Sequence, residues 1–81
     1  MNREDLHTIL NLVLSLNEQG VTHASVSFSG HVKMVNVMVW EGKLKEENII
    51  YSDYCYYEGR LYKKKKMQEI IYALAELRDE I

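Results

Sequence analysis

Eighty-one residues with 47% hydrophobic and 27% charged side chains suit one globular domain, and this balance excludes a chain too polar to fold. The net charge of −2 supplies no global field toward nucleic acid or an anionic membrane, so any anion binding has to be local. A single cysteine, Cys55, excludes an internal disulfide and a cysteine-based zinc site.

The opening MNREDL is acidic and polar where a signal peptide needs a basic end and then an apolar run. No apolar stretch approaches the roughly 18 residues of a membrane span, and a cytoplasmic protein without membrane contact is the expectation. From Arg3 to Gln19, Leu6, Ile9, Leu10, Val13 and Leu14 recur at helical spacing, and Leu12 and Leu16 widen the stripe. Asn2 suits the N-cap, Glu4 and Asp5 the first turn, and Gly20 the position after the end. The segment VTHASVSFSGHVKMVNVMVWEG alternates with period two on either side of Ser29-Gly30 and predicts an antiparallel hairpin. After the polar connection GKLKEEN, a third strand is expected from about Ile49 to Glu58. A second helix follows from about Lys63, with Met67, Ile70, Ile71, Leu74, Leu77 and Ile81 as its inward stripe.

The order α-β-β-β-α predicts a single α+β domain over residues 1–81. Its architecture is two-layer, a three-stranded antiparallel sheet with both helices on one face. The second strand is apolar on both sides, with Val35, Val37 and Val39 opposite Met34, Met38 and Trp40; the valines are expected inward, and alternation leaves the hairpin register open. The third strand is two-sided as well, with Ile49, Tyr51, Cys55 and Tyr57 opposite Ile50, Tyr54 and Tyr56. An apolar sheet face without a cover follows, and Tyr, Trp and Met are the residue types enriched at protein interfaces. The expected partner-binding set is Met34, Met38, Trp40, Tyr51, Tyr54, Tyr56 and Tyr57, facing a protein partner or, as a homodimer, a second copy.

A second candidate is the cluster Arg60, Lys63, Lys64, Lys65 and Lys66, which holds five of the ten basic residues. Four consecutive lysines cannot share one helical face: Lys63 and Lys66 lean toward the rim of the core, whereas Lys64 and Lys65 face water. Lys65 and Lys66 reach Glu69 at helical spacing. Glu76, Asp79 and Glu80 close this helix, so both of its ends oppose the helix dipole. An anion at its start, where free backbone N–H groups point outward, would relieve the lysines. His7, His23 and His31 show no metal-ligand spacing, Cys55 lies in a strand without a thiol-activating pattern, and Glu46-Glu47 has no second acidic cluster; no catalytic residue, metal or cofactor is expected.

The element order, the hairpin SGHVKMVNVMVWEG and the lysine-started last helix resemble the double-stranded RNA-binding domain. That resemblance implies that His31 reaches a minor groove, that Lys63, Lys64 and Lys66 contact phosphates, and that Glu4 or Asp5 adds a contact. In size, acidity and aromatic sheet the chain also resembles small accessory and anti-defence proteins of bacteriophages and mobile elements, which implies occupation of a site on a host protein. The leading expectation is a non-enzymatic binding protein working by protein–protein contact, such as an inhibitor of a nucleic-acid enzyme. The alternative is binding of double-stranded RNA or another nucleic acid through the lysine end, and a third is single-strand binding with bases stacked on the sheet tyrosines.

Overall fold

The computed structural model describes residues 3–19, 22–42 and 46–80. Their elements follow the expected order: α1 (Arg3–Glu18), β1 (Thr22–Ser29), β2 (Met34–Glu41), a short 3-10 turn (Glu46–Asn48), β3 (Ile49–Tyr56) and α2 (Lys64–Glu80). The strands form one antiparallel sheet in the order β1-β2-β3, an α+β fold. The proposed N-cap Asn2, the proposed helix stop Gly20 and the stripe residue Ile81 lie outside the described residues.

Alternation on β2 decides which face is covered. Val35, Val37 and Val39 are fully buried beneath the helices, packed with Ile9, Val13 and Leu16 of α1 and with Met67, Ile70 and Leu74 of α2. Partners on the same side of the sheet are Ala24, Val26 and Phe28 of β1 and Tyr51, Asp53 and Cys55 of β3. The two helices lie side by side: Gln68 near the start of α2 donates to Asp5 of α1 (3.2 Å), and Gln19 just beyond α1 donates to the Arg78 carbonyl at the end of α2 (3.1 Å). They therefore run in the same direction, with α1 over β1 and α2 beside β3.

Three expectations change. The buried face of α1 is Leu6, Ile9, Leu12, Val13 and Leu16, whereas Leu10 and Leu14 are 38% and 50% exposed on its flank. A helix seated on a flat sheet beside a second helix has two buried contact lines, which rotates its stripe toward Leu12 and Leu16. The hairpin turn is longer than Ser29-Gly30: Ser29 pairs with Met34, so Gly30, His31, Val32 and Lys33 make the connection. Lys33 takes a left-handed backbone (φ 57), a conformation that glycine or asparagine usually supplies. The charge reversal of α2 is complete only at its start, because Arg78 stands in its last turn.

Asn17, in the last turn of α1, reaches the outer edge of β1. Its side-chain amide donates to the Ala24 carbonyl (2.9 Å), and its oxygen accepts from the Ala24 N–H (2.7 Å). In an antiparallel ladder a residue's N–H and C=O point to the same side, so Ala24 turns both away from β2, and one asparagine satisfies both. Replacing Asn17 by Ala is expected to lower stability by about 1–2 kcal/mol in urea unfolding, two hydrogen bonds at about 1 kcal/mol each. The Ala24 amide should exchange with solvent markedly faster in that variant; unchanged exchange would contradict the role of Asn17.

Candidate functional site

The helix-free face of the sheet follows from the same register. His23, Ser25, Ser27 and Ser29 of β1 pair with Trp40, Met38, Asn36 and Met34 of β2, which pair in turn with Ile49, Ser52, Tyr54 and Tyr56 of β3. Five of the seven expected partner-binding residues, Met34, Met38, Trp40, Tyr54 and Tyr56, thus share one face. Tyr54 is 53% exposed and the other four are half-buried. The rings of Tyr54 and Tyr56 stand edge to face at 6.2 Å, a favoured aromatic geometry. A register shift between Val39 and Trp40 leaves Ile50 as an extra, exposed residue opposite Trp40 and bends the apolar end of the face.

Tyr51 and Tyr57 do not belong to this surface. They share the parity of Cys55 and therefore lie on the helix-covered side, where Tyr57 is buried in the core, edge-on to Phe28 at 6.4 Å, and Tyr51 packs against the core. The covered side also holds an ion pair that sequence reasoning missed. Lys66 Nζ lies 2.7 Å from Asp53 Oδ2, the Tyr51 hydroxyl donates to the same oxygen at 3.4 Å, and Asp53 Oδ1 accepts from the Tyr54 N–H at 2.8 Å. Lys66 thus finds its ion pair on β3 rather than in Glu69. The signal was present: Asp53 sits between Tyr51 and Cys55 at an inward strand position, and Lys66 sits on the inward helix flank, each lacking a local reason to be there.

Electrostatics of this cluster follow from burial and from one charge pair. Burial pushes the Asp53 carboxyl up, but the Lys66 ammonium, the Tyr54 N–H and the Tyr51 hydroxyl outweigh it and hold the group below its ordinary value. The hydrogen bond to Asp53 raises Lys66. Burial, followed by the Asp53 charge, pushes the Tyr51 phenol up to about 12 and the Cys55 thiol up to about 11. Cys55 is buried with its Sγ 3.8 Å from Met67 Sδ, an unreactive core thiol.

The basic candidates gather at one end of the domain. The Tyr57 N–H donates to the Lys33 carbonyl at 2.8 Å and ties the β1–β2 turn to the chain leaving β3. Between them lies a groove of about 530 Å3 lined by His31, Val32, Lys33, Tyr56, Glu58, Gly59, Arg60 and Leu61. A separate cleft of about 300 Å3 shares Tyr56 and Leu61 with it and is also lined by Lys63 and Lys66. Lys64 and Lys65 are exposed in the first turn of α2, and the Lys63 carbonyl accepts the first helical bonds from Lys66 and Met67 at 3.1 and 3.2 Å. His31 and Arg60 line the groove together with Lys33 and Glu58, Lys63 and Lys66 line the neighbouring cleft together with Asp53, and neither Lys64 nor Lys65 lines either one.

Among the described residues no cluster of His, Cys, Asp and Glu is arranged to hold a metal ion, and no helix is long and apolar enough to cross a membrane. No protein-family model matches the chain, and neither a curated protein nor a solved structure matches it significantly.

Unfolding returns Tyr51 and Cys55 to their ordinary values of 10.0 and 9.0, so the unfolded chain releases these protons first as pH rises. Their contribution to stability is fully present below pH 9.0 and is lost as pH climbs through about 11 and about 12. Denaturation midpoints are expected to fall across that window, with a shallower fall above pH 10.0 in Tyr51→Phe; identical slopes in the two proteins would contradict the assignment. At neutral pH a thiol reagent should modify Cys55 only as fast as the fold opens.

Proposed function

We propose that this chain is a non-enzymatic binding protein that docks a protein partner on the helix-free face of its sheet. The observation that supports the reading is the side-by-side placement of Met34, Met38, Trp40, Tyr54 and Tyr56 on that face, partly exposed and uncovered by either helix. Large amphipathic rings and flexible thioethers supply contact area at low ordering cost, and the serines of β1 and Ser52 supply a polar rim. The lone thiol is buried and protonated at neutral pH, which removes it as a nucleophile. The groove holding Lys33 and Arg60 and the cleft holding Lys63 both adjoin this face at Tyr56, so the partner's matching surface is acidic at that border. A nucleic-acid enzyme inhibited by occupation of its site is the partner class that the resemblance to mobile-element proteins adds.

Nucleic-acid binding is the second reading, favoured by the tie between Tyr57 and Lys33 and by the groove that His31 shares with Arg60. Phosphates would lie along the groove and meet Lys64 at the start of α2. Affinity capture from the native cell, with and without nuclease, separates the readings when run with variants. Protein docking predicts a retained protein that survives nuclease and is lost by at least about tenfold in Trp40→Ala or Tyr54→Ala, the usual effect of truncating an aromatic anchor. The second reading instead predicts duplex RNA binding that is abolished in a Lys64→Glu, Lys65→Glu double variant, with a reduced salt slope in any residual binding. Capture indifferent to Trp40 and Tyr54 would overturn the leading reading.

A further inference from the structure

The groove between the β1–β2 turn and the chain leaving β3 carries one combination of residues twice. On the turn Val32 stands next to Lys33, and on the chain after β3 Arg60 stands next to Leu61. Val32 is 46% and Leu61 60% exposed, so each side offers a cation beside an uncovered aliphatic side chain. Both sides are also held in place. The Tyr57 N–H fixes the turn through the Lys33 carbonyl at 2.8 Å, and the Tyr62 N–H closes a second turn on the Gly59 carbonyl at 3.2 Å. Lys33 is kept at φ 57, where glycine or asparagine would sit with less strain, and strained residues of this kind collect at ligand clamps.

The lining discriminates between ligands. Lys33 and Arg60 attract an anion, but Glu58 stands among them. A phosphodiester backbone brings a charge at every link and nothing aliphatic, so it would crowd Glu58 and leave Val32 and Leu61 in water. An extended peptide of acidic and apolar residues meets every part of the lining. Its carboxylates pair with Lys33 and Arg60, its apolar side chains cover Val32 and Leu61, and Glu58 accepts from one of its free backbone N–H groups. Side chains that alternate along an extended chain reach both sides of the groove at once.

We propose that this groove binds an extended segment of a protein partner in which acidic residues adjoin apolar ones. The inference rests on the reading that the partner is a protein, and it gives that partner's acidic border a specific form. Tyr56 both lines the groove and belongs to the helix-free face, so the two surfaces are continuous. The groove's volume of about 530 Å3 falls within the range of ligand clefts, about 300–1,000 Å3.

Titration of the isotope-labelled full chain with the end-blocked hexapeptide Glu-Asp-Leu-Leu-Asp-Glu, followed by NMR, tests the site. Saturable amide shifts are expected at Val32, Lys33, Gly59, Arg60 and Leu61. The same peptide with serine in place of leucine should bind at least about fivefold more weakly. Lys33→Asn, which keeps a residue suited to the left-handed turn, and Leu61→Ser, at an exposed position, are each expected to weaken the leucine peptide by roughly fivefold while leaving the fold intact. Trp40→Ala, at the far end of β2 from Met34 and Tyr56, should bind it as the parent chain does. An absence of saturable shifts overturns the proposal, as does equal affinity for the serine peptide or tighter binding of a short RNA duplex at the same residues. Peptide binding in the groove combined with cell capture indifferent to Trp40 and Tyr54 would overturn the helix-free face and keep the groove. Failure of the peptide combined with capture that depends on those two residues would overturn the groove alone.

Discussion

Val35, Val37 and Val39 are fully buried on the central strand, and both neighbours of that strand are held to it in antiparallel register. Because side chains alternate strictly, sending these three valines toward the helices sends Met34, Met38 and Trp40 the other way. Every surface of the molecule inherits that choice. Tyr54 and Tyr56 join the uncovered face, Tyr51 and Tyr57 the covered one, and Asp53 is carried inward to where Lys66 meets it. A slip of one residue on β2 would bury a tryptophan and two methionines under helices whose core is shaped for valine.

Side chains from the helix layer complete the sheet. Asn17 of α1 fills the outer edge of β1 at Ala24, and Lys66 of α2 holds the aspartate that fills the outer edge of β3 at Tyr54. The two devices differ in kind. Asn17 satisfies one residue and leaves Val26 and Phe28 open, whereas Asp53 adds a charge that opposes pairing.

Much of this architecture was legible. Helical spacing in both helices and the β-branched alternation of β2 led to the observed element order, and the inward valines agreed with the buried ones. The aromatic face was legible in part, since Tyr54 and Tyr56 share a parity with Met34, Met38 and Trp40 only once the strand register is known. The opposite parity of Tyr51 and Tyr57 was visible in the sequence, but the partner-binding set still grouped tyrosines from both sides, because alternation alone did not say which side the helices cover. Of the lysine run, Lys66 is half-buried as expected, but Lys63 precedes α2 and is exposed like Lys64 and Lys65, and local spacing offered Glu69 as the partner of Lys66. The actual counter-charge lies thirteen residues away in sequence, on a strand.

Sequence alone determined the elements and their order, because hydrophobic periodicity and turn residues act over a few residues. It also determined that two strands would be apolar on both sides and that basic residues would concentrate before α2. Only the tertiary structure decided which sheet face was covered, which tyrosines stayed outside, that Leu10 and Leu14 flank an edge instead of filling the core, and that Lys66 pairs with Asp53. Each of these depends on register and on the rotation of a helix over a sheet, which are set by contacts between residues far apart in the chain and leave no trace in local periodicity.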